Sequence, residues 1–162
     1  MRGGENKEGE ETMNAMLLAA ACYVGFFGRL DLPEGGSEAR RLGGGGARVG
    51  CYLDEAQLYA VEGEAAWCED SASLGADLVV HWQAWQVYGD LFGFSQFDPF
   101  FTLGARGWIG SEAGNVGPAA GVGAFWHLDD NWSLRFDAGT TLCLDGGAEM
   151  RYTLMAGVQY GF

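Results

Sequence analysis

The 162-residue sequence predicts an all-β fold, namely an eight-stranded antiparallel up-and-down transmembrane β-barrel. Apolar side chains alternate with polar or very small ones from Cys22 to Phe162, and this period of two is typical of strands, whose successive side chains point to opposite faces. Glycine is abundant, at 28 residues against 3 prolines. No run of about 18 apolar residues is present, which excludes a membrane-spanning helix, whereas a spanning strand needs only about 9–11 residues.

The overall composition limits the class of protein. A chain of 162 residues is long enough for one domain, and an aromatic content of 14% argues against a disordered chain. Lys and Arg number 9 against 22 Asp and Glu, which gives a net charge of -13. Binding to nucleic acid needs a basic surface, so we expect no nucleic-acid partner.

The N-terminal part of the chain differs from the rest. Residues 1–12 are polar and acidic, and the short apolar stretch after them ends in Ala19 and Ala21, which have the spacing of a signal-peptidase site. A secretory signal carries a basic rather than an acidic segment before its apolar part. We therefore expect residues 1–21 to be a disordered tail or the remnant of an export signal, and residues 22–162 to form the barrel domain.

The first four predicted strands are segments 22–32, 46–53, 57–68 and 73–88. Apolar side chains share one parity in these segments: Val24, Phe26, Leu30, Leu32, Ala47, Val49, Cys51, Leu53, Tyr59, Val61, Ala65, Trp67, Leu74, Ala76, Leu78, Val80, Trp82 and Ala84. Polar and charged side chains share the other: Tyr23, Arg29, Asp31, Arg48, Tyr52, Glu62, Glu64, Asp77, His81 and Gln83. Each segment therefore has one apolar and one polar face.

The last four predicted strands are segments 100–110, 116–128, 132–144 and 150–162. Their apolar parity holds Phe101, Leu103, Ala105, Ile109, Val116, Pro118, Ala120, Val122, Ala124, Trp126, Leu128, Trp132, Leu134, Phe136, Ala138, Leu142, Leu144, Met150, Tyr152, Leu154, Ala156, Val158, Tyr160 and Phe162. Their other parity is rich in glycine and holds the charged residues Arg106, Arg135, Asp137 and Arg151.

Links rich in turn residues separate these segments. Short links are predicted at 54–55, 111–115, 129–131 and 145–147. Two longer links are predicted from Pro33 to Gly45, which is glycine-rich, and from Gly89 to Pro99, which is aromatic. An even number of antiparallel strands joined in this way can close into a barrel that leaves no edge exposed.

The polar parity is predicted to face the interior of the barrel. An interior enclosed by eight strands is narrow, so glycine beside charges of both signs suits it. Aromatic residues lie near the ends of the apolar parity, which is typical of the girdles of membrane barrels: Trp67, Trp82, Tyr88, Trp126, Trp132, Tyr152, Tyr160 and Phe162. The alternative is a soluble barrel that binds a hydrophobic ligand within an apolar interior.

Inward-facing charges are expected to form a structural ion-pair network. Its predicted members are Arg48, Glu62, Glu64, Asp77, Arg106, Arg135, Asp137 and Arg151. Three of these, Glu62, Glu64 and Asp77, fall on neighbouring strands, and close carboxylates are capable of acid–base chemistry. Neutralisation by arginines, including Arg29, is the alternative that a buried location favours.

Other candidate catalytic and metal-binding residues are few. His81 and His127 fall on the inward parity without the partner spacing of a metal site, so we expect interior hydrogen bonds or, for His127, a position at an end of the barrel. Ser71 and Ser73 lie at an edge of the barrel that no histidine shares, so no nucleophile–base pair is predicted. No catalytic residue, metal or cofactor is therefore predicted.

The cysteines offer one geometric hypothesis. If the first hairpin closes symmetrically around Gly36 and Ser37, Cys22 lies opposite Cys51 on the same parity. Either a disulfide or two free thiols facing lipid is compatible with this placement. Cys68 and Cys143 fall on strands that are not adjacent, and we expect both to be free.

Residues 23–162 resemble the eight-stranded outer-membrane β-barrel family, that is, the OmpA-type transmembrane domain and small porin-like outer-membrane proteins. Segment 98–108 is similar to the entry of that family's fifth strand, with proline and aromatic residues followed by a Gly-x-x-Gly-aromatic pattern. Segment 121–136 resembles its sixth strand, turn and seventh strand. The ending resembles the C-terminal insertion signal and contains Gly157, Tyr160 and Phe162.

The resemblance implies an integral protein of the outer membrane of a Gram-negative-type cell, with both termini in the periplasm. Links 33–45, 69–73, 111–115 and 145–148 would then face the outside, and links 54–56, 89–98 and 129–131 the periplasm. Expected partners are outer-membrane lipid and the outer-membrane assembly machinery, and the chain is expected to be a monomer. The expected role is structural or in surface interaction, with little or no pore activity and no catalysis. A lipid-A-modifying outer-membrane enzyme is the alternative within the same fold.

Overall fold

A computed structural model of the chain describes residues 22–33, 42–68, 71–82, 93, 95–110, 116–144 and 148–162. The predicted tail or signal remnant and the predicted girdle residue Tyr88 lie outside the described residues. No helix in the described part of the chain is long and apolar enough to cross a membrane.

Eight antiparallel strands close into a single barrel, which confirms the predicted fold class. The strands are β1 (Cys22–Pro33), β2 (Leu42–Tyr52), β3 (Tyr59–Cys68), β4 (Ser71–His81), β5 (Phe97–Gly110), β6 (Val116–His127), β7 (Trp132–Cys143) and β8 (Glu149–Gly161). Each strand pairs with the next strand in the chain, and β8 pairs with β1 to complete the circle.

Both ends of the barrel domain meet at one end of the barrel. The Cys22 amide donates to the Phe162 carbonyl at 3.3 Å, and the Phe162 amide donates to the Cys22 carbonyl at 3.0 Å. The turns at 53–58 and 128–131 lie at this same end, which we call the terminal end. The opposite end is called the far end.

Side chains alternate between the lumen and the outer surface along every strand. The burial of β3, for example, alternates without exception from Tyr59 to Cys68 once Gly63 is counted as outward. Among the outward residues, Phe26 is 63% exposed and Ile109 is 65% exposed. In the described strands the predicted apolar parity therefore faces outward, which is the inverse of the arrangement in a soluble ligand-binding barrel.

Strand β2 begins at Leu42, earlier than predicted. The glycine-rich link predicted from Pro33 to Gly45 is therefore too long. The glycines there are part of the barrel wall. A Cβ on Gly46 would lie 2.5 Å from the Phe27 ring and 2.5 Å from the Ala65 carbonyl oxygen. Only glycine leaves room for that ring. This requirement explains why β2 is rich in glycine, a composition that is otherwise typical of a link.

Strands β4 and β5 also differ from the predicted bounds. β4 begins at Ser71 rather than at 73 and ends at His81, and the predicted strand residues 83–88 lie outside the described residues. β5 begins at Phe97 rather than at 100, which shortens the link predicted from Gly89 to Pro99. The Trp82 amide donates to the Pro99 carbonyl at 2.9 Å, so hydrogen bonding between the two strands extends to the proline at the end of the predicted link.

Two apolar clusters lie within the barrel. The larger one consists of Tyr23, Ala60, Val79, Phe100 and Phe125, each no more than 1% exposed. The smaller one consists of Phe27, Ala66 and Met155. These side chains, together with the charged residues described next, fill the lumen.

Candidate functional site

The described interior holds five buried carboxylates and four buried arginines. The carboxylates are Asp31, Glu62, Glu64, Asp77 and Asp137, and the arginines are Arg29, Arg48, Arg106 and Arg135. A buried charge is costly unless it is paired and hydrogen-bonded. The contacts of these residues therefore decide whether the site is structural or chemically active.

Glu62 is the centre of a first cluster. Arg135 donates to both of its carboxylate oxygens, from Nη1 to Oε2 and from Nη2 to Oε1, the latter at 3.2 Å. The Tyr23 hydroxyl donates to Oε2 at 2.8 Å, and Arg48 Nη1 lies 3.6 Å from Oε1. A bidentate arginine–carboxylate pair of this kind is among the stronger charge-assisted arrangements.

Asp137 joins the same two arginines from another wall. Arg135 Nε donates to its Oδ1 at 2.9 Å, and Arg48 Nη1 donates to its Oδ2 at 3.1 Å. The Arg135 guanidinium also lies 4.5 Å from the centroid of the Phe100 ring, and that of Arg48 lies 4.3 Å from the centroid of Phe27. Two acids and two arginines therefore compensate one another within the first cluster.

Glu64 is the centre of a second cluster nearer the far end. Its Oε1 lies 3.2 Å from Arg29 Nη1 and 3.0 Å from Arg106 Nε. Arg106 Nη2 donates to Asp77 Oδ2 at 3.4 Å, and Arg29 Nε donates to Asp31 Oδ1 at 2.9 Å. Two arginines here bind three carboxylates.

Two neutral hydroxyl groups and Arg151, the last of the predicted network residues, lie beside the second cluster. Thr153 donates to Asp31 Oδ1 at 2.9 Å, and Arg29 donates to the Ser73 hydroxyl at 2.6 Å. Arg151 is partly exposed, and its guanidinium lies 4.7 Å from the centroid of the Trp108 ring. Arg29, which was expected to neutralise interior carboxylates, and Asp31, which was not predicted, both belong to the network.

The structure brings Glu62, Glu64 and Asp77 together, with ligand oxygens all within 4.8 Å of one another. Each carboxylate nevertheless contacts an arginine, so this acidic group is already charge-compensated. The adjoining cavity offers a volume of about 10 Å³ to the centre of a water molecule. It therefore has room for about one water molecule. The arrangement is typical of a packed polar core and leaves little space for a substrate.

A separate polar cluster lies at the terminal end. Asp98 Oδ2 lies 2.6 Å from His81 Nδ1 and 3.9 Å from His127 Nε2. His127 Nδ1 lies 2.9 Å from the Ser133 hydroxyl oxygen. Ser133 is the cross-strand partner of His127, a serine–histidine contact that was not among the sequence-based predictions.

The sequence did not predict that cluster because Asp98 falls in the link predicted from Gly89 to Pro99. The signal was present in the turn at 129–131, because a hairpin centred on Asp130 pairs residue 127 with residue 133. His81 forms the predicted interior hydrogen bond, whereas His127 has the alternative position at an end of the barrel, where it is half-exposed and contacts Ser133.

The first hairpin has the register that symmetric closure predicts, with Cys22 opposite Cys51. The two residues form a disulfide, so the alternative of two lipid-facing thiols was wrong. Cys68 and Cys143 are free, as predicted, and both are buried.

The barrel is similar to solved outer-membrane barrels. Neisserial surface protein A (NspA) superposes with a TM-score of 0.61 at 14% identity, over 87% of this chain and 97% of that one. The outer membrane protein OprG from Pseudomonas aeruginosa also gives a TM-score of 0.61, at 11% identity over 89% and 97% of the chains. The N-terminal β-barrel domain of Pseudomonas aeruginosa OprF gives a TM-score of 0.57, at 14% identity over 86% of this chain and 97% of that one.

No protein-family model matches the sequence, and no curated protein matches it. The predicted resemblance is therefore confirmed for the fold, which is that of a small outer-membrane β-barrel.

Proposed function

We propose that this chain is an integral, monomeric protein of the outer membrane whose role is structural or in surface interaction, with little or no pore activity. The observation that carries the proposal is the pairing of an outward apolar belt with a lumen filled by ion pairs. A barrel with this distribution of side chains is suited to lipid on the outside and needs no ligand on the inside.

The outer belt is apolar on every strand. Its large exposed members are Phe26, Val49, Leu53, Tyr59, Val61, Trp67, Leu74, Leu78, Trp82, Phe101, Leu103, Ile109, Val116, Val122, Trp126, Leu128, Trp132, Phe136, Leu144, Tyr152, Leu154, Val158, Tyr160 and Phe162. Exposure of apolar surface to water costs roughly 25 cal/mol per Å². A continuous belt of this kind is far beyond the scattered apolar residues of a soluble surface, and it supports contact with outer-membrane lipid.

Aromatic residues border the belt at both ends. Trp126, Trp132 and Tyr160 lie at the terminal end, and the Trp132 and Tyr160 rings are 5.0 Å apart between centroids. Trp67 and Tyr152 lie at the far end. Amphipathic rings at the two boundaries of an apolar belt match the headgroup levels of a bilayer.

The filled lumen supports low conductance. The first charged cluster and the larger apolar cluster share Tyr23, whose ring packs in one and whose hydroxyl binds the other. An eight-stranded interior is only wide enough to be filled by side chains. Planar-bilayer recording is expected to find no steady conductance steps, and reproducible steps would overturn this part of the proposal.

The orientation and the assembly partners follow from the same proposal. With the terminal end in the periplasm, β8 presents Gly157, Tyr160 and Phe162 to the outer-membrane assembly machinery as an insertion signal. Tyr160 and Phe162 are exposed on the outer surface, where a partner is able to bind them before the barrel is embedded.

Refolding from urea with and without detergent micelles tests the membrane assignment. We expect a β-type far-UV circular dichroism spectrum, and different gel mobility before and after boiling, only when micelles are present. Cooperative folding to the same β spectrum in plain buffer would overturn the proposal, because the outer belt would then be stable in water.

A further inference from the structure

The polar cluster at the terminal end has the parts of a hydrolytic site. It contains a serine hydroxyl bound to an imidazole, a carboxylate beside the other side of that imidazole, and an amide next to the serine. None of these groups is used by the charged clusters that fill the lumen. We propose that Ser133 is a nucleophile with His127 as its general base, and that the terminal mouth of the barrel hydrolyses a small carboxylic ester. This activity goes beyond the structural role and does not depend on it.

The serine–histidine contact has the geometry that proton transfer needs. Ser133 Oγ lies 2.9 Å from His127 Nδ1, within the hydrogen-bond reach expected of a nucleophile and its base. The hydroxyl donates to Nδ1 when the imidazole carries its proton on Nε2. That tautomer leaves Nδ1 free to accept the serine proton.

Asp98 is a positioning residue for this imidazole. Its Oδ2 lies 3.9 Å from His127 Nε2, on the side of the ring that carries the proton. His81 contacts the same oxygen at 2.6 Å and is itself stacked on Phe125, with ring centroids 5.5 Å apart. At 3.9 Å the contact with His127 is electrostatic rather than a hydrogen bond, so the carboxylate stabilises the imidazolium that forms during the reaction.

Gln159 supplies a candidate acceptor for the attacking water. It lies directly opposite Ser133 in the β7–β8 ladder, and both residues are buried on the lumen side. Its Oε1 is buried without a hydrogen-bond partner. An amide oxygen accepts a hydrogen bond, so this atom is suited to hold a water molecule beside the acyl-serine.

The burial of these groups defines the size of the substrate. The His127 side chain is 44% exposed, whereas Ser133 is 8% exposed. The base is therefore open to solvent, and the buried hydroxyl restricts the substrate to a small acyl group. The Phe125 ring is stacked with the His127 imidazole, at 6.2 Å between centroids, and packs against the buried Phe100.

The reaction is balanced with water as the only co-reactant. Ser133 Oγ bonds to the acyl carbon while His127 Nδ1 takes the hydroxyl proton. The bond from the acyl carbon to the ester oxygen then breaks, and His127 returns the proton to the leaving alcohol. Water attacks the acyl-serine, its proton goes to His127, and the serine leaves with that proton as the carboxylic acid is released.

The test uses the full chain refolded in detergent micelles and a fluorophosphonate probe, with mass spectrometry to locate the adduct. We expect labelling at Ser133 in the folded protein and none after denaturation in urea. His127→Gln is expected to slow labelling by about 100-fold or more, since a general base contributes about 10²–10⁴-fold. Ser71→Ala, at the far end, is the matched control and is expected to label at the normal rate.

Hydrolysis of p-nitrophenyl acetate gives the second readout. Asp98→Asn is expected to lower kcat with little change in KM, and Asp98→Glu to restore part of kcat. Gel mobility before and after boiling establishes that each variant has folded. No labelling of Ser133 in the folded protein, or equal labelling in the folded His127→Gln variant, would overturn the proposal while leaving the structural role intact.

Discussion

Arg135 on β7 and Glu62 on β3 are joined by two hydrogen bonds across the lumen, although their strands lie on opposite walls of the barrel. The pair therefore acts as a brace between walls that share no backbone hydrogen bonds. Tyr23 adds a contact to Glu62 from β1. The stability of the closed barrel thus depends on side chains at its centre as well as on the ladder around it.

Replacing Glu62→Gln is expected to destabilise the barrel by about 3–5 kcal/mol, because it leaves two buried arginines short of one carboxylate. The measurement is the urea midpoint of unfolding in micelles. Glu55→Gln makes the same chemical change at an exposed turn position and is expected to leave the midpoint within error. Equal midpoints for the two variants would show that the brace contributes nothing.

The disulfide between Cys22 and Cys51 ties the first two strands together near the terminal end. Alkylation of the denatured, unreduced protein is expected to modify only Cys68 and Cys143. Reduction is expected to lower the free energy of unfolding by about 2–4 kcal/mol, the usual contribution of a bridge that closes a loop of this length. Four alkylated cysteines in protein isolated from a cell envelope would contradict the bridge.

Gly46→Ala is expected to cost about 1–3 kcal/mol, because the added methyl group collides with the Phe27 ring and with a backbone oxygen that cannot move aside. Gly43→Ala, in the same glycine run, meets nothing within 4 Å and is expected to be neutral or slightly stabilising. Urea midpoints of the two variants are compared in the same micelles. A neutral Gly46→Ala would mean that the ring has space to rotate.

Leu103→Arg tests the depth of the outer belt. Leu103 lies midway along β5 and is 60% exposed, while Leu128 lies in a turn at the terminal end and is 56% exposed. Arginine at the bilayer midplane costs about 2–4 kcal/mol, and about 0–1 kcal/mol near the interface. The fraction of chains that fold into vesicles is therefore expected to fall for Leu103→Arg and not for Leu128→Arg. Similar losses for both would argue against the proposed position of the membrane.

The turn at 128–131 is expected to depend on pH through Asp129. Its carboxylate accepts hydrogen bonds from the Asn131 and Trp132 amides, both at 2.8 Å, and these hold the pKa of Asp129 below its ordinary value of 3.8. A lowered pKa means that the stabilisation is present above the ordinary value and is lost as pH falls through the lowered one. The two amide NMR shifts in micelles are expected to titrate below about pH 4. In Asp129→Asn that titration is expected to disappear, and its persistence would assign it to another group.

The faces of the strands were predictable because alternation is a local property. A residue such as Leu103 needs only its neighbours at positions two away to be assigned to the outside. Hairpin closure extended this to one register, which placed Cys22 opposite Cys51. The bounds of the strands were less predictable. The glycines of β2 are typical of a link, and only the contact with the Phe27 ring explains their place in a strand.

Contacts across the lumen could not be predicted from parity. Parity identifies Glu62 and Arg135 as inward, but which pairs meet depends on the tilt and stagger of the closed barrel. The same limit applies to Arg151, which was predicted to join the ion-pair network and whose described contact is with the Trp108 ring. It also applies to Asp98, which was predicted to lie in a link but belongs to β5.

Because β8 pairs with both β7 and β1, the barrel stays open until the last strand of the chain has left the ribosome. Until then β1 and the newest strand each present a row of unpaired backbone groups, which are templates for incorrect pairing. A chain that lacks β8 therefore cannot close the barrel, and its open edges favour pairing with other chains over a finished fold.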